Sequence, residues 1–187
     1  MNRPPSNERD LLELARQHDE AAFASLVERY TPPLFRVVRR MVTDPMEVES
    51  ILQETFWRFW QALPRYSSDR PLLPYLATIA SNLARDRYRR ERRLEDVSVE
   101  DILEGHADES APDPGQVLDD QQSLQRLAAA VRDLPFAYRA VVSLRYEANM
   151  SYEEIAAARS LPLNTVRTHL RRAKDLLRRR LEEAEDG

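Results

Sequence analysis

Cysteine is absent from this chain of 187 residues, and histidine and glycine each occur only three times. Without cysteine there can be no disulfide bond, thiolate zinc site or thiol nucleophile. The histidines lie too far apart in sequence to form a metal-binding motif, and the glycines cannot build a loop that cradles phosphates. These absences argue against an enzyme that uses a metal or a nucleotide, so we expect no cofactor and no metal site.

Long apolar runs are also missing. No segment approaches the roughly 20 consecutive apolar residues that a membrane helix requires. No apolar run follows the first residues, as it would in a signal peptide. We therefore expect no membrane insertion and a location in the cytoplasm. The apolar content of 42% is still high enough for packed helical cores.

The formal net charge of -4, taken alone, argues against a protein that binds nucleic acid. The charges are, however, unevenly distributed. Residues 81–93 carry six arginines and two acids, and residues 163–181 carry seven bases and one acid. Between them, residues 94–120 hold ten acids and no base, a composition that suits a linker better than a packed core. Two basic stretches are thus separated by an acidic segment.

Apolar residues recur at helical spacing through most of the sequence, and the strand-like alternation of apolar and polar residues is absent. Helix starts are marked by Asp19, by Asp44 before Pro45, and by a capping box formed by Ser151 and Glu154. The pattern predicts an all-α protein of two small helical domains. They occupy residues 1–93 and 121–187 and are joined by the acidic linker 94–120. The segment 31–33, which contains two prolines, is expected to interrupt or kink a helix.

The C-terminal domain has the pattern of a helix-turn-helix motif. A short helix after the capping box is followed by the turn 159–162 and by a long basic helix capped by Asn164 or Thr165. Ala156 is small where the two helices must approach each other closely. A helix of this kind fits the DNA major groove, where arginine contacts phosphates and guanine edges. The alternative interpretation is a solvated face of an ordinary helical bundle.

The other basic stretch combines its arginines with Tyr88 and follows Asn82. Cations beside aromatic rings suit single-stranded nucleic acid, because bases stack on the rings while the cations neutralise the backbone. A polar helix end with a core tyrosine explains the same residues equally well.

Two groups of segments carry a more specific signal. The first group contains ESILQETF at 49–56 and YLATIASNLARD at 75–86. The second group comprises residues 134–135, 139–146, 151–156 (SYEEIA) and 164–173 (NTVRTHLRRA). The first group resembles the second region of the extracytoplasmic-function (ECF) sigma factors, a bacterial group of the sigma-70 family, and the second group resembles their fourth region. The resemblance covers nearly the whole chain in the family's order.

The resemblance implies an RNA polymerase sigma factor, a protein with no enzymatic activity of its own that recruits core RNA polymerase to promoters and helps to melt them. Docking on core polymerase is thereby assigned to Glu49, Gln53 and Glu54. The resemblance assigns contacts with the opened minus-ten element to Tyr66, Ser67, Ser68, Asp69, Arg70, Asn82, Arg85, Arg89 and Arg90. The duplex minus-thirty-five element is assigned to Thr165, Arg167, Thr168, His169, Arg171 and Arg172.

Alternatives stay open at this point. A stand-alone helix-turn-helix regulator of transcription would leave the segment around Gln53 and the segment around Asn82 unexplained. A helical interaction protein would have basic faces that are only solvated. Family members are often held by an anti-sigma factor, which the resemblance adds as a candidate partner. The chain departs from the family in having serine at position 50, where aspartate is common, and Ser160, where glycine is common.

Overall fold

The computed structural model describes residues 7–94 and 121–185, and within these ranges it contains α-helices and no β-strand. The prediction of an all-α protein is therefore confirmed. The predicted acidic linker lies outside the described residues from position 95 onward. The helices are α1 (Glu8–Arg16), α2 (Glu20–Met41), α3 (Pro45–Ala62), α4 (Leu72–Leu94), α5 (Gln121–Arg132), α6 (Phe136–Tyr146), α7 (Tyr152–Arg159) and α8 (Leu163–Glu185). A single 3-10 turn, Leu63–Arg65, follows α3.

The helix starts in the first half are those that the sequence marks. The side chain of Asp19 accepts a hydrogen bond from the backbone nitrogen of Ala22 at 3.0 Å. The side chain of Asp44 accepts a hydrogen bond from the backbone nitrogen of Met46 at 2.9 Å, with Pro45 in the first helical position. Each contact satisfies a backbone donor that has no partner inside the helix.

The expected break at the two prolines does not occur, because α2 continues through Pro32 and Pro33. A proline inside a helix costs about 3 kcal/mol through the lost hydrogen bond and the ring clash. Leu26 on one side of the prolines and Leu34 and Val37 on the other are buried along one face. Each such side chain gains about 1.5–3 kcal/mol on burial, so tertiary packing outweighs the local preference.

Helices α1 to α4 pack as a bundle in which α2 contacts α1, α3 and α4. Its interior is apolar, and Phe59 is the largest of its fully buried side chains. The ring of Phe59 is surrounded by other aromatic rings, with Tyr66 and Tyr75 meeting it edge-on at 5.6 Å and 6.0 Å. This aromatic cluster holds the end of α3 against the start of α4.

Helices α7 and α8 form the predicted helix-turn-helix. The capping box is confirmed, since Ser151 accepts from the backbone of Glu154 at 3.1 Å and the Glu154 carboxylate accepts from the backbone of Ser151 at 2.7 Å. The predicted cap of the second helix was wrong. Helix α8 begins at Leu163, and the backbone carbonyl of Pro162 accepts from the backbone nitrogens of Thr165 and Val166, so neither Asn164 nor Thr165 is the capping residue.

The two halves of the described chain, Glu8–Leu94 and Gln121–Glu185, pack directly against each other. Helix α2 contacts α5 and α6, and α4 contacts α6 and α7. The hydroxyl of Ser143 donates to the carbonyl of Val37 at 2.7 Å in the interior of this contact. The sequence pattern did not predict this packing. None of the helices in the described part of the chain is both long and apolar enough to span a bilayer.

Candidate nucleic-acid and partner interfaces

An exposed polar ridge runs along α3 and contains the three residues predicted to dock on a partner. Glu49 and Gln53 lie one turn apart, and the Gln53 amide donates to the Glu49 carboxylate at 3.3 Å. Glu54 is half-buried and accepts a hydrogen bond from Arg58 at 2.7 Å. The ridge therefore presents carboxylates and an amide, which suit a partner with basic side chains.

A groove of about 660 Å³ lies beside this ridge, between α2 and α3. Aromatic and aliphatic side chains line it, including Phe23, Phe56 and Trp60. Phe56 is buried, whereas Trp60 is only partly buried and meets Phe23 edge-on at 4.6 Å. Trp57 completes the wall and is 57% exposed. An exposed tryptophan beside a groove is typical of a protein-binding surface.

Trp57 is not among the residues to which the resemblance assigns a role. The available signal was its position one residue after Phe56 and three before Trp60, outside the buried face. Met46, at the start of the same helix, is also exposed, with 73% of its surface accessible. Both residues extend the apolar surface of α3 toward solvent.

Position 50 lies on the side of α3 that faces α4. The Ser50 hydroxyl accepts from the Arg87 guanidinium at 2.5 Å, and the same guanidinium donates to the backbone carbonyl of Glu47 at 3.3 Å. An ion pair between Arg87 and the Glu47 carboxylate, at 3.8 Å, adds to this contact. Serine thus keeps a hydrogen bond to α4 where an aspartate would form an ion pair.

The loop before α4 contains five of the residues predicted to contact single-stranded DNA. Ser67, Asp69 and Arg70 are exposed and Ser68 is half-buried. Tyr66 instead is only 6% exposed, and its hydroxyl donates to the carbonyl of Arg70 at 2.6 Å. Burial raises the pKa of Tyr66 to about 12, so the phenol stays neutral and keeps this bond. Tyr66 therefore shapes the loop, and its ring is unavailable for stacking on a base in this conformation.

Helix α4 carries the second part of the predicted single-strand site. Arg89 and Arg90 are exposed, whereas Asn82 and Arg85 are half-buried. The Asn82 Oδ1 is buried without a hydrogen-bond partner, and the Arg85 Nε forms an ion pair with Asp86 at 3.6 Å. The ring of Tyr88 stacks on Phe136 of α6, with centroids 4.6 Å apart. Arg90 lies on the side of α4 that faces α3, where it lines a pocket with Leu83 and Arg87, so the four predicted residues do not form one continuous exposed face.

Helix α8 displays the predicted duplex-reading residues at different depths. Arg167 is exposed and donates to the Asn164 side chain at 3.2 Å. Four others are half-buried, namely Thr165, Thr168, Arg171 and Arg172. The α8 surface is therefore basic, with arginine side chains reaching outward from a buried stripe that includes Val166 and Leu170.

His169, which the resemblance assigns to the minus-thirty-five element, is half-buried on α8. Its ring meets Tyr138 of α6 at 5.1 Å, and its Nδ1 is buried without a partner. Burial, followed by the charges of Arg172 and Arg159, lowers the pKa of His169 below its usual value. The helical period accounts for this partial burial, since position 169 lies next to Leu170 and only three residues from Val166, at the edge of the buried stripe.

No cluster of three or more histidine and acidic side chains that could hold a metal ion occurs among residues 7–94 and 121–185. The polar residues of the interfaces described here are instead arranged as three surfaces: the α3 ridge, the loop with α4, and α8. Such surfaces provide hydrogen bonds, charges and aromatic rings for binding.

Known families and proteins match this arrangement. The family model described as Sigma-70 region 2 matches residues 26–94. The family model described as Sigma-70, region 4 matches residues 124–177. The ECF RNA polymerase sigma factor RpoE of Cereibacter sphaeroides is 31% identical over 91% of this chain and 93% of that protein. The chain therefore belongs to the sigma-70 family, as an RNA polymerase sigma factor of the ECF group. Sigma factors are non-catalytic regulators.

Solved structures share the fold. The structure of CnrH in complex with the cytosolic domain of CnrY is 28% identical in sequence, covers 94% of this chain and 97% of that one, and gives a TM-score of 0.64. The sigma factor RpoE in complex with the anti-sigma factor NepR, from Bartonella quintana, is 22% identical. It covers 86% of this chain and 96% of that one, with a TM-score of 0.64.

Proposed function

We propose that the chain binds core RNA polymerase through α3, receives the melted minus-ten strand at α4, and reads the minus-thirty-five duplex with α8. The observation that carries this proposal is the presence of three surfaces in one chain. Helices α4 and α8 are basic and suit DNA, and the surface of α3 is acidic and aromatic. A stand-alone regulator needs α8 but has no use for the other two surfaces.

The core-binding surface consists of Glu49, Gln53 and Glu54 together with the neighbouring aromatic groove. A helical partner with basic and apolar side chains fits both parts, because the carboxylates can pair with its charges while the groove buries its apolar side chains. Trp57 is the exposed aromatic residue at the junction of the two parts. It is therefore the candidate for the energetically dominant contact.

The minus-ten surface consists of loop 66–70 and the exposed face of α4. A base that leaves the duplex loses its stacking and pairing, which must be replaced by contacts with the protein. The Asn82 amide can hydrogen-bond a base edge, while Arg85, Arg89 and Arg90 neutralise phosphates. Promoter melting then follows from binding to the displaced strand, and the chain requires no catalytic activity of its own.

The minus-thirty-five surface is the outward side of α8. Arg167, Arg171 and Arg172 supply contacts to phosphates or guanine edges, and Thr165 and Thr168 supply shorter hydrogen bonds. His169 packs against Tyr138 and positions the helix, so we assign it a supporting role and no base contact. The helix-turn-helix holds α8 at its N-terminal end, where such motifs meet base edges.

The domain division that suits these roles is 1–93 for core polymerase and the minus-ten element, 94–120 as the acidic linker, and 121–187 for the minus-thirty-five element. Two separated promoter elements require two separable binding domains. The working compartment is the cytoplasm, since core RNA polymerase and the promoters are found there. An anti-sigma factor is a further proposed partner, because both solved relatives described above are held by a second protein in their complexes.

A pull-down on immobilised core RNA polymerase tests the docking surface. The double variant Gln53→Ala/Glu54→Ala should bind core less tightly than the unaltered chain. The matched control is Glu13→Ala/Gln17→Ala, which removes the same two side-chain types from exposed positions on α1 and at its C-cap and should bind normally. Equal binding of both variants overturns the docking assignment. A chain that never binds core but binds duplex DNA supports the stand-alone regulator instead.

A further inference from the structure

Helix α1 lies before the first residue that the family model of Sigma-70 region 2 matches, and the proposed function gives it no role. Its apolar side, with Leu11, Leu12 and Ala15, is buried in the bundle. In its first turn, the Glu8 carboxylate accepts a hydrogen bond from the hydroxyl of Tyr30 on α2. These contacts fix α1 as part of the N-terminal bundle, from which its polar side chains can reach neighbouring segments.

The last turn of α1 is joined to the start of loop 66–70. The half-buried Arg16 guanidinium donates through Nε to the backbone carbonyl of Leu63 at 3.4 Å, and through Nη2 to the backbone carbonyl of Tyr66. A guanidinium can bridge two carbonyls because its donors point in fixed directions from one plane. Arg16 therefore sets the orientation of the peptide group that joins Tyr66 to Ser67.

The other polar contacts of the loop are weaker links to the bundle. The Tyr66 hydroxyl donates to the carbonyl of Arg70 at 2.6 Å, which closes the loop on itself but does not attach it to α1. Arg9 of α1 forms an ion pair with Asp69 at 3.4 Å, and these side chains are 68% and 84% exposed. An exposed pair of this kind contributes little, whereas the bonds of the half-buried Arg16 are charge-assisted. Arg16 is therefore the stronger of the two polar links between α1 and the loop.

Tyr66 is thus held in two ways. Its ring packs against Phe59 and Tyr75, and its carbonyl is held by Arg16. The ring contacts set the place where the loop begins, and the carbonyl bond sets the direction in which the next peptide leaves the bundle. A loop that samples several directions must lose that freedom when a base binds, which lowers both affinity and discrimination.

We propose that Arg16 is a positioning residue for recognition of the melted minus-ten strand. Its guanidinium is engaged by the two backbone carbonyls, so it acts through loop 66–70, which it holds in the arrangement that a base meets. Loss of Arg16 lowers discrimination between minus-ten sequences more than overall affinity, because phosphate contacts carry no sequence information. This inference rests on the proposed function, which assigns the loop to the melted strand.

The mobility of a spin label in the loop tests the positioning without DNA or polymerase. The chain has no cysteine of its own, so Ser67→Cys, at an exposed position, gives a single labelling site. Adding Arg16→Gln should sharpen the nitroxide spectrum, because the loop then moves more freely on the nanosecond timescale. Arg65→Gln removes the same charge from an exposed position of the adjacent 3-10 turn and should leave the spectrum unchanged. Equal spectra of the two variants overturn the positioning role.

A label at Met46→Cys, at the exposed start of α3, separates loop motion from a general loss of structure. In Arg16→Gln the spectrum at position 46 should stay unchanged while that at position 67 sharpens. Sharpening at both positions of a folded chain contradicts a role confined to the loop. If Arg16→Gln does not fold, Arg16→Lys takes its place, because it keeps the charge and lacks the planar set of donors. An unchanged spectrum at position 67 in Arg16→Lys likewise overturns the positioning role.

The consequence for recognition is tested by selection from a random-sequence pool of single-stranded DNA, with the full-length chain bound to core RNA polymerase. The unaltered chain should enrich a defined minus-ten sequence. Arg16→Gln should lower the enrichment of that sequence by about fivefold to tenfold, the effect of ordering a few loop groups on binding. Arg65→Gln should enrich it almost as well as the unaltered chain.

The possible outcomes of the selection lead to different conclusions. Equal enrichment by Arg16→Gln and Arg65→Gln overturns the role of Arg16 in recognition, even if the spin label moves more freely. Enrichment of no sequence by the unaltered chain overturns the proposed function itself. The spin-label spectra contain no contribution from DNA or polymerase, so they decide the contact between α1 and the loop in either case.

Discussion

Tyr88 and Phe136 lie face to face, with ring centroids 4.6 Å apart and ring planes inclined by only 10°. The sequence left Tyr88 open to two explanations, a stacking platform for a base or a core tyrosine. In the structure it is half-buried, and its stacking partner is the ring of Phe136.

A double-mutant cycle measures this contact. Tyr88→Ala and Phe136→Ala should each lower the free energy of unfolding, and the double variant should lose less than the sum. The expected coupling is about 0.5–1.5 kcal/mol, the usual contribution of an aromatic pair beyond its buried area. Urea denaturation of the four proteins provides the values. Strictly additive losses would show that the rings do not interact in solution.

Ser160 occupies a left-handed backbone conformation in the turn of the helix-turn-helix, with φ of 53° and ψ of 45°. A side chain with a Cβ costs about 1–2 kcal/mol in this region, and glycine does not pay that cost. Ser160→Gly should therefore raise the free energy of unfolding by about 1 kcal/mol, after allowance for the greater entropy of unfolded glycine. Ser160→Ala keeps the Cβ and should give no such gain. A destabilised glycine variant would contradict the strain.

The starts of α2, α3 and α7 could be predicted because their caps are local features of a few residues. The continuation of α2 through Pro32 and Pro33 could not, since burial of Leu34 and Val37 against distant helices decides it. The same holds for the packing of the two halves. Ser143 and Val37 are 106 residues apart in sequence, and no periodicity indicates that they meet.

Among the candidate sites, Glu49 and Gln53 lie at regular helical positions on α3 and are exposed, which their docking role requires and which remains a prediction. Tyr66 and His169 were expected to contact DNA, and in the structure Tyr66 is buried and His169 is half-buried. Their burial comes from tertiary neighbours, such as Tyr75 next to Tyr66 and Tyr138 next to His169. Residue type and spacing alone do not contain that information.

His169 predicts a pH dependence. Its folded pKa lies below the usual value of 6.5, first through burial and then through Arg172 and Arg159. As the pH falls below 6.5, His169 of the unfolded chain binds a proton, whereas His169 of the folded chain stays neutral until a lower pH. Stability is therefore lost on acidification. The free energy of unfolding should fall further between about pH 7.5 and about pH 5.5 in the unaltered chain than in His169→Asn. The other two histidines are common to both proteins and cancel in the comparison. Parallel pH profiles would contradict the burial of this ring.

The exposure of Trp57 predicts that its replacement weakens binding to core RNA polymerase but hardly changes the stability of the fold. Because it is mostly exposed, Trp57→Ala should change the free energy of unfolding by less than about 1 kcal/mol. Its affinity for core RNA polymerase should fall by about 2 kcal/mol or more if this side chain dominates the interface. Met46→Ala, an exposed apolar residue on the same helix, serves as the control and should bind almost normally. Equal affinities of the two variants would remove Trp57 from the docking surface.

The most direct measurement of the central claim is specific initiation by core RNA polymerase on a library of promoter sequences, with and without the full-length chain. The account predicts that the chain confers initiation at a defined subset of the library, and that Gln53→Ala/Glu54→Ala reduces this activity while its binding to duplex DNA is kept. Initiation that does not change when the chain is added, despite normal DNA binding by the chain, would contradict its action as a sigma factor.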